Sequence, residues 1–204
     1  MVRARSMKPK RKPNPEWDPV FKSNYRTDLL SHSSWVRKAE SLLDSASLLE
    51  PEVAAIWTSL RERHEARGSS KLKSDGILSV YLMLMAFAVE NLLKAELVHK
   101  FHSNFRQMFD SSGKLPPLLK THDLFVLAQK AGVSMGIAEE DLLRRLTRSA
   151  IWGGRYPVPI EFGELAGGEE FSDGKVWSVS YLGGKDVERL RKLVDKIRAD
   201  FNVR

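Results

Sequence analysis

Apolar residues along most of the chain recur at the spacing of an α-helix. Between Trp35 and Leu49 they fall every three or four positions, so that they share one face of a helix. Pro51 follows at a place where a proline can open the next helix, and a second helical pattern continues to Gly68. The pattern predicts two consecutive helices that each bury one face against a common core.

A third segment, residues 76–102, carries apolar residues on nearly every side of the helix, which predicts a central, buried helix. Its middle reads MAFAVENLLKAEL and places Glu90 and Lys94 one turn apart on the same side. An unpaired charge among apolar groups would be costly. We therefore expect Glu90 to pair with Lys94 or to contact Arg148 or Arg155, and a polar cleft on this face is the functional alternative.

Three further helices are predicted in the second half of the chain. In THDLFVLAQKAGV, Thr121 suits the N-cap and Gly132 the end of a short helix that carries His122 in its first turn. Residues 136–152 are acidic at the start and rich in arginine at the end, as the helix dipole prefers. A closing amphipathic helix spans residues 185–201, with apolar residues at three- and four-residue steps.

The pattern changes between the last two of these helices. YPVPIEF and VWSVSYL are short runs of β-type residues that flank a connection rich in Gly, Glu and Asp, which indicates a β-hairpin at about residues 156–183. The sequence thus predicts an all-α fold, a bundle of five to six helices with this small hairpin inserted. Residues 31–204 are assigned to one domain.

Positive charge is concentrated at the N-terminus. The formal net charge is +7, and six Lys and Arg residues precede the first acid, Glu16, so that the rest of the chain carries about +1. Residues 1–30 are predicted to form a disordered basic arm, because a Pro- and Lys-rich composition buries too little apolar surface to order itself. Such an arm can bind RNA, DNA or acidic lipid in a salt-dependent way. A solvated terminus without a partner is the alternative.

Several classes of chemistry are excluded by what the sequence lacks. It contains no cysteine, and therefore no disulfide, thiolate nucleophile or Cys-ligated metal. No phosphate-binding glycine loop, His-Glu-x-x-His motif or Gly-x-Ser-x-Gly motif occurs. The five histidines are scattered, so we expect neither a metal site nor a cofactor. The longest apolar stretch, residues 77–98, is interrupted by Glu90 and Lys94, which predicts a cytoplasmic protein without a membrane span.

The order of the motifs resembles the HEPN superfamily, the higher eukaryote and prokaryote nucleotide-binding domains. The resemblance spans residues 33–157 and rests on a Trp-bearing first helix, VENLLKAEL in a core helix, THDL at a helix start and GRYP after a late helix. It implies a compact helical domain that often dimerises. Many members are metal-independent ribonucleases of toxin–antitoxin or antiviral systems, so an antitoxin or a nucleotidyltransferase is an implied partner.

Active members carry an arginine followed four to six residues later by a histidine on the late helix. Here the arginines of that helix are followed by SAIWGGRYP, which has no histidine. Three interpretations stay open: a HEPN-like protein with a rebuilt cleft that binds RNA or a nucleotide, with or without cleavage of RNA; a HEPN-like protein that has lost its nuclease and binds a protein partner as an inactive helical module; and an unrelated bundle. For the first, the candidate catalytic residues are Arg148, Arg155 and His122, and the candidate RNA- or nucleotide-binding residues are Tyr156, Arg144 and Lys94.

Overall fold

Helices make up nearly all of the structure, a computed structural model that describes residues 18–65, 75–153, 169–170, 176–177 and 185–201. A π-helical segment, Ser149–Gly153, directly continues α8. The all-α prediction is confirmed. In chain order the α-helices are α1 (Asp18–Leu30), α2 (His32–Ser47), α3 (Glu50–Glu65), α4 (Asp75–Lys100), α5 (His102–Ser112), α6 (Pro117–Lys120), α7 (Leu124–Ala131), α8 (Ile137–Arg148) and α9 (Asp186–Asp200).

The predicted central helix, α4, is the core of the bundle. It lies most extensively along α2 and also packs against α1, α3, α5, α7, α8, α9 and the π-helical segment. Tyr81, Leu92, Leu93 and Leu97 on this helix are fully buried. A helix that is apolar on all sides must be covered on all sides, and the amphipathic helices around it do so with one apolar face each.

Among the described residues, α4 is also the one helix long and apolar enough to cross a membrane, judged by length and composition over Gly76–Lys100. About half of its most apolar stretch is buried inside the bundle. It further contains a buried ion pair, Glu90 with Lys94. Both features are those of the core helix of a soluble protein, and a cytoplasmic location stays a prediction.

The bundle has more helices than predicted: nine α-helices occur within the described residues, not five to six. The first additional helix, α1, overturns the prediction of disorder for residues 18–30. Phe21, Tyr25 and Leu29 follow at four-residue steps; Leu29 is buried, and the Tyr25 ring stacks on Phe109 of α5 with centroids 5.4 Å apart. This packing supplies the apolar contacts that the composition did not suggest. Residues 1–17 of the predicted arm lie outside the described residues.

The other two additional helices are α5 and α6. The chain turns at Phe101, so that the helix predicted to reach His102 ends at Lys100, and α5 then buries Phe105 and Phe109. Gly113 ends α5 with φ +64°, a conformation that glycine adopts without strain. Helix α6 is a single turn with a proline at its first position. The remaining helices agree with the predicted segments to within a few residues.

Little of the predicted β-hairpin falls within the described residues. Glu169–Glu170 (β1) and Val176–Trp177 (β2) pair antiparallel, Glu169 opposite Trp177. The second strand begins where VWSVSYL does, and its described partner lies in the acidic connection. Residues 156–162 are outside the described residues. Two residues per strand leave the architecture all-α, and the hairpin as such stays a prediction.

Two histidines meet where the start of α2 contacts the end of α4. The ring centroids of His32 and His99 are 6.0 Å apart. Burial of the imidazole and electrostatic repulsion from His99 lower the pKa of His32. Attraction to the carboxylate of Glu96 raises this pKa but offsets only part of the decrease. The folded protein therefore resists protonation of His32 more than the unfolded chain does.

We expect this histidine to make the fold less stable in acid. As the pH falls below the ordinary value of 6.5, the unfolded chain binds a proton that folded His32 does not, so the free energy of unfolding decreases through and below that pH. The variant His32→Gln should flatten this decrease between about pH 7 and pH 5 in urea unfolding. His102→Gln, on the exposed side of α5, is the control and should keep the wild-type slope. Equal slopes for wild type and His32→Gln would contradict the expectation.

Candidate functional site

A buried ion pair forms the base of the candidate site. The Nζ of Lys94 donates to Oε1 of Glu90 at 2.6 Å, and the two side chains are only 4% and 8% exposed. They are neighbours because four residues make one helical turn. The Lys94 ammonium also lies 6.0 Å from the centroid of the Trp35 ring on α2. The predicted internal pairing of Glu90 with Lys94 is confirmed.

The second oxygen of the same carboxylate binds a histidine at the surface. The Nδ1 of His122 lies 2.9 Å from Oε2 of Glu90, and the imidazole side chain is 49% exposed. An ionised carboxylate can only accept hydrogen bonds, so Nδ1 carries the proton. In the neutral imidazole, Nε2 is then the nitrogen without a proton, and it has no partner among the described residues. Glu90 thus bonds Lys94, one of its expected partners, and His122, which was not expected. The alternative partner Arg155 lies outside the described residues.

The backbone before α7 fixes the position of this histidine. The helix begins at Leu124, and its N-cap is Asp123, whose carboxylate accepts from the backbone N–H of Val126 at 3.0 Å. The predicted cap, Thr121, instead accepts from the N–H of Asp123 at 3.1 Å. His122 therefore lies just before the helix and not in its first turn. The predicted end at Gly132 is confirmed by its φ of +91°.

The end of α8 meets this corner of the bundle. The backbone N–H of Leu124 donates to Oγ1 of Thr147 at 3.0 Å, so the start of α7 is fixed to the last turn of α8. Arg148 is the next residue along α8 and is partly buried. The chain therefore brings Arg148 and His122, two of the three candidate catalytic residues, to the same end of the α7–α8 pair.

The candidate binding residues lie in different environments. Lys94 is part of the buried pair. The guanidinium of Arg144 lies 4.1 Å from the centroid of the Phe125 ring and forms an ion pair with Glu140 at 3.0 Å. It therefore joins α7 to α8, and its charge is compensated by a carboxylate. Arg155 and Tyr156 lie outside the described residues.

The contact that sequence reasoning missed is the one between Glu90 and His122. The two residues are 32 positions apart, and no periodicity relates them, since they belong to different helical segments. The available signal was chemical: a carboxylate on an apolar helix needs a second hydrogen-bond donor when its lysine reaches only one oxygen. Both residues lie within motifs that carried the family resemblance, VENLLKAEL and THDL.

The described residues contain no group of three or more His, Asp or Glu side chains that could hold a metal ion. His99 and His102, three positions apart, lie on different helices, and His99 faces His32. The described site contains an oriented imidazole, a buried carboxylate and neighbouring cations.

Comparisons of the chain with family models, with curated proteins and with solved structures gave no match.

Proposed function

We propose that this chain is a HEPN-like domain that binds RNA or a nucleotide and cleaves RNA without a metal ion, with His122 as the proton-transferring residue. One observation supports this most directly: a half-exposed imidazole is held through Nδ1 by a buried carboxylate, at 2.9 Å. Enzymes use this arrangement to fix the tautomer and direction of a catalytic histidine.

The reaction needs little else from the protein. Nε2 of His122 takes the proton of the 2′-hydroxyl while the 2′-oxygen forms its bond to phosphorus. The bond from phosphorus to the 5′-oxygen breaks, and this oxygen leaves with a proton from water, so that a 2′,3′-cyclic phosphate and a 5′-hydroxyl are formed. Arg148, at the same end of the α7–α8 pair, is proposed to stabilise the negative charge on the phosphoryl oxygens. The family resemblance adds a homodimer and an antitoxin or nucleotidyltransferase partner to the proposal.

Cleavage of labelled RNA in the presence of EDTA tests this function. We expect His122→Gln to lower the rate about 100-fold, in the range usual for loss of a general base, and Arg148→Ala to lower it as well. His102→Gln, another exposed histidine, should cleave like the wild type. Absence of cleavage by the wild type, or full activity of His122→Gln, would remove the proposal.

The second candidate is a catalytically inactive module that binds a protein partner. It is favoured by exposed apolar side chains on α1 and α5, two helices that pack together: Val20, Tyr25 and Met108 are 52%, 49% and 45% exposed. Such groups often mark protein interfaces. This function would be supported if the wild type neither cleaves RNA nor binds it in a salt-dependent way. It also requires that the wild type form a complex with a protein partner and that the variant Met108→Glu not form it.

A further inference from the structure

A cleft of about 370 Å³ lies between α1, α2 and α4. Most of its lining is apolar, and two aromatic residues, Tyr25 and Trp35, form part of its walls. Both rings are held in place: the Trp35 indole N–H donates to the carbonyl of Leu29 at 3.0 Å, and Tyr25 stacks on Phe109. A cleft of this size with fixed aromatic walls is suited to a small planar ligand.

The charges in the cleft favour a neutral ligand. Asp28 and Lys38 line it together, so that one negative and one positive group are present and the cleft has little net charge. A free phosphate or carboxylate would meet Asp28 as well as Lys38. A neutral ring that carries both hydrogen-bond donors and acceptors can satisfy the two groups at once.

A half-buried amide gives the cleft a recognition element. The Nδ2 of Asn91 donates one hydrogen bond to the carbonyl of Phe87 at 2.6 Å, which fixes the amide. Its oxygen and its second N–H have no partner among the described residues. Adjacent donor and acceptor groups of this kind pair with the edge of a nucleobase. A purely aliphatic ligand would leave both unpaired, at a cost.

We propose that this cleft binds a nucleobase, stacked on its aromatic walls and read by Asn91. The inference rests on the proposed function and extends it: the base belongs to the nucleotide beside the bond that His122 acts on. The cleft is joined to the site in two ways. Asn91 directly follows Glu90 on α4, and Trp35 contacts the cleft and also lies 6.0 Å from the Lys94 ammonium.

Binding of the four ribonucleosides to the full chain, measured by calorimetry and by NMR shifts of the Trp35 indole and Asn91 amide, tests the proposal. We expect at least one nucleoside to bind. Leu115→Trp fills the cleft and should weaken this binding at least tenfold. Ser111→Trp adds the same side chain on the exposed side of α5 and should bind like the wild type. Circular dichroism would establish that both variants are folded.

A second variant tests the same proposal if Leu115→Trp does not fold. Asn91→Leu removes the amide at similar volume, so it should bind all four nucleosides with about equal affinity, below that of the preferred one in the wild type. Binding of no nucleoside at millimolar concentration overturns the inference, as does wild-type affinity in folded Leu115→Trp. Benzene derivatives that bind as tightly as nucleosides would also overturn it.

The same experiment separates this inference from the proposed function. If nucleosides bind in the cleft but RNA is not cleaved, the cleavage proposal fails and the nucleobase site stands. If RNA is cleaved and folded Leu115→Trp cleaves it with unchanged KM, the cleft has no role and the nucleobase site fails.

Discussion

Replacing Lys94 with methionine is expected to lower the free energy of unfolding by about 3–5 kcal/mol, the usual cost of leaving one member of a buried ion pair without its partner. Lys94 and Glu90 are 4% and 8% exposed at the side chain and 2.6 Å apart. Methionine fills nearly the same volume, so the loss would reflect the buried charge of Glu90, which keeps only His122 as a partner, and not a cavity. Urea unfolding followed by circular dichroism measures it.

The chain provides a matched control for this variant. Glu188 and Lys192 on α9 have the same spacing and the same distance of 2.6 Å, but their side chains are about 70% exposed. Lys192→Met should therefore leave stability unchanged within error. The double variant Glu90→Met, Lys94→Met removes both buried charges and should recover most of the loss. If Lys94→Met lowered the free energy of unfolding no more than Lys192→Met does, the description of Glu90 and Lys94 as a desolvated ion pair would be wrong.

The pair of Glu90 and Lys94 also shows which features of the fold can be predicted from the sequence. A helix that is apolar on all sides must lie at the centre, and two charges one turn apart within it must pair; both statements follow from local spacing, and both are confirmed. The bond from Glu90 to His122 could not be predicted in this way. It depends on how α7 is placed against α4, which is set by packing between distant segments.

A different cause explains the missed helix α1. Phe21, Tyr25 and Leu29 have helical spacing, but the basic, Pro-rich residues just before them led us to extend the disordered arm to residue 30. The α1 helix gains its stability from α5, whose Phe109 it covers and whose Asp110 binds Arg26 at 3.2 Å. Since α5 itself was not predicted, no partner for α1 was apparent from the sequence.

The arginines of α8 show what the sequence could not predict about the candidate site. The sequence offered Arg148 as a catalytic residue and Arg144 as a binding residue, and simple compensation of the helix dipole was the alternative for the arginines of this helix. In the structure, Arg144 stacks on Phe125, and Arg145 is directed to the other side of α8, where α9 supplies its partner. Only the arrangement of the neighbouring helices distinguishes these roles.

The ion pair of Arg145 is the second place where a single substitution should have a large effect. Its Nη1 lies 2.7 Å from Oδ2 of Asp186, the first residue of α9, and these side chains are 10% and 5% exposed. Burial alone would lower the pKa of Arg145, but the hydrogen bonds of Asp186 and Asp141 outweigh it and raise the pKa. The charge of Arg145 therefore depends on these carboxylates for its stabilisation.

We expect Asp186→Ala to lower the free energy of unfolding by about 3 kcal/mol, the lower end of the usual range for breaking a buried pair, because Asp141 still binds Arg145 at 2.7 Å. Part of the loss would come from removing an acidic residue at a helix N-terminus. Asp195→Ala is the control, since this residue lies on the same helix with its side chain 75% exposed, and its stability should stay near that of the wild type. Equal urea midpoints for the two variants would show that the buried pair of Arg145 and Asp186 contributes orientation without stability.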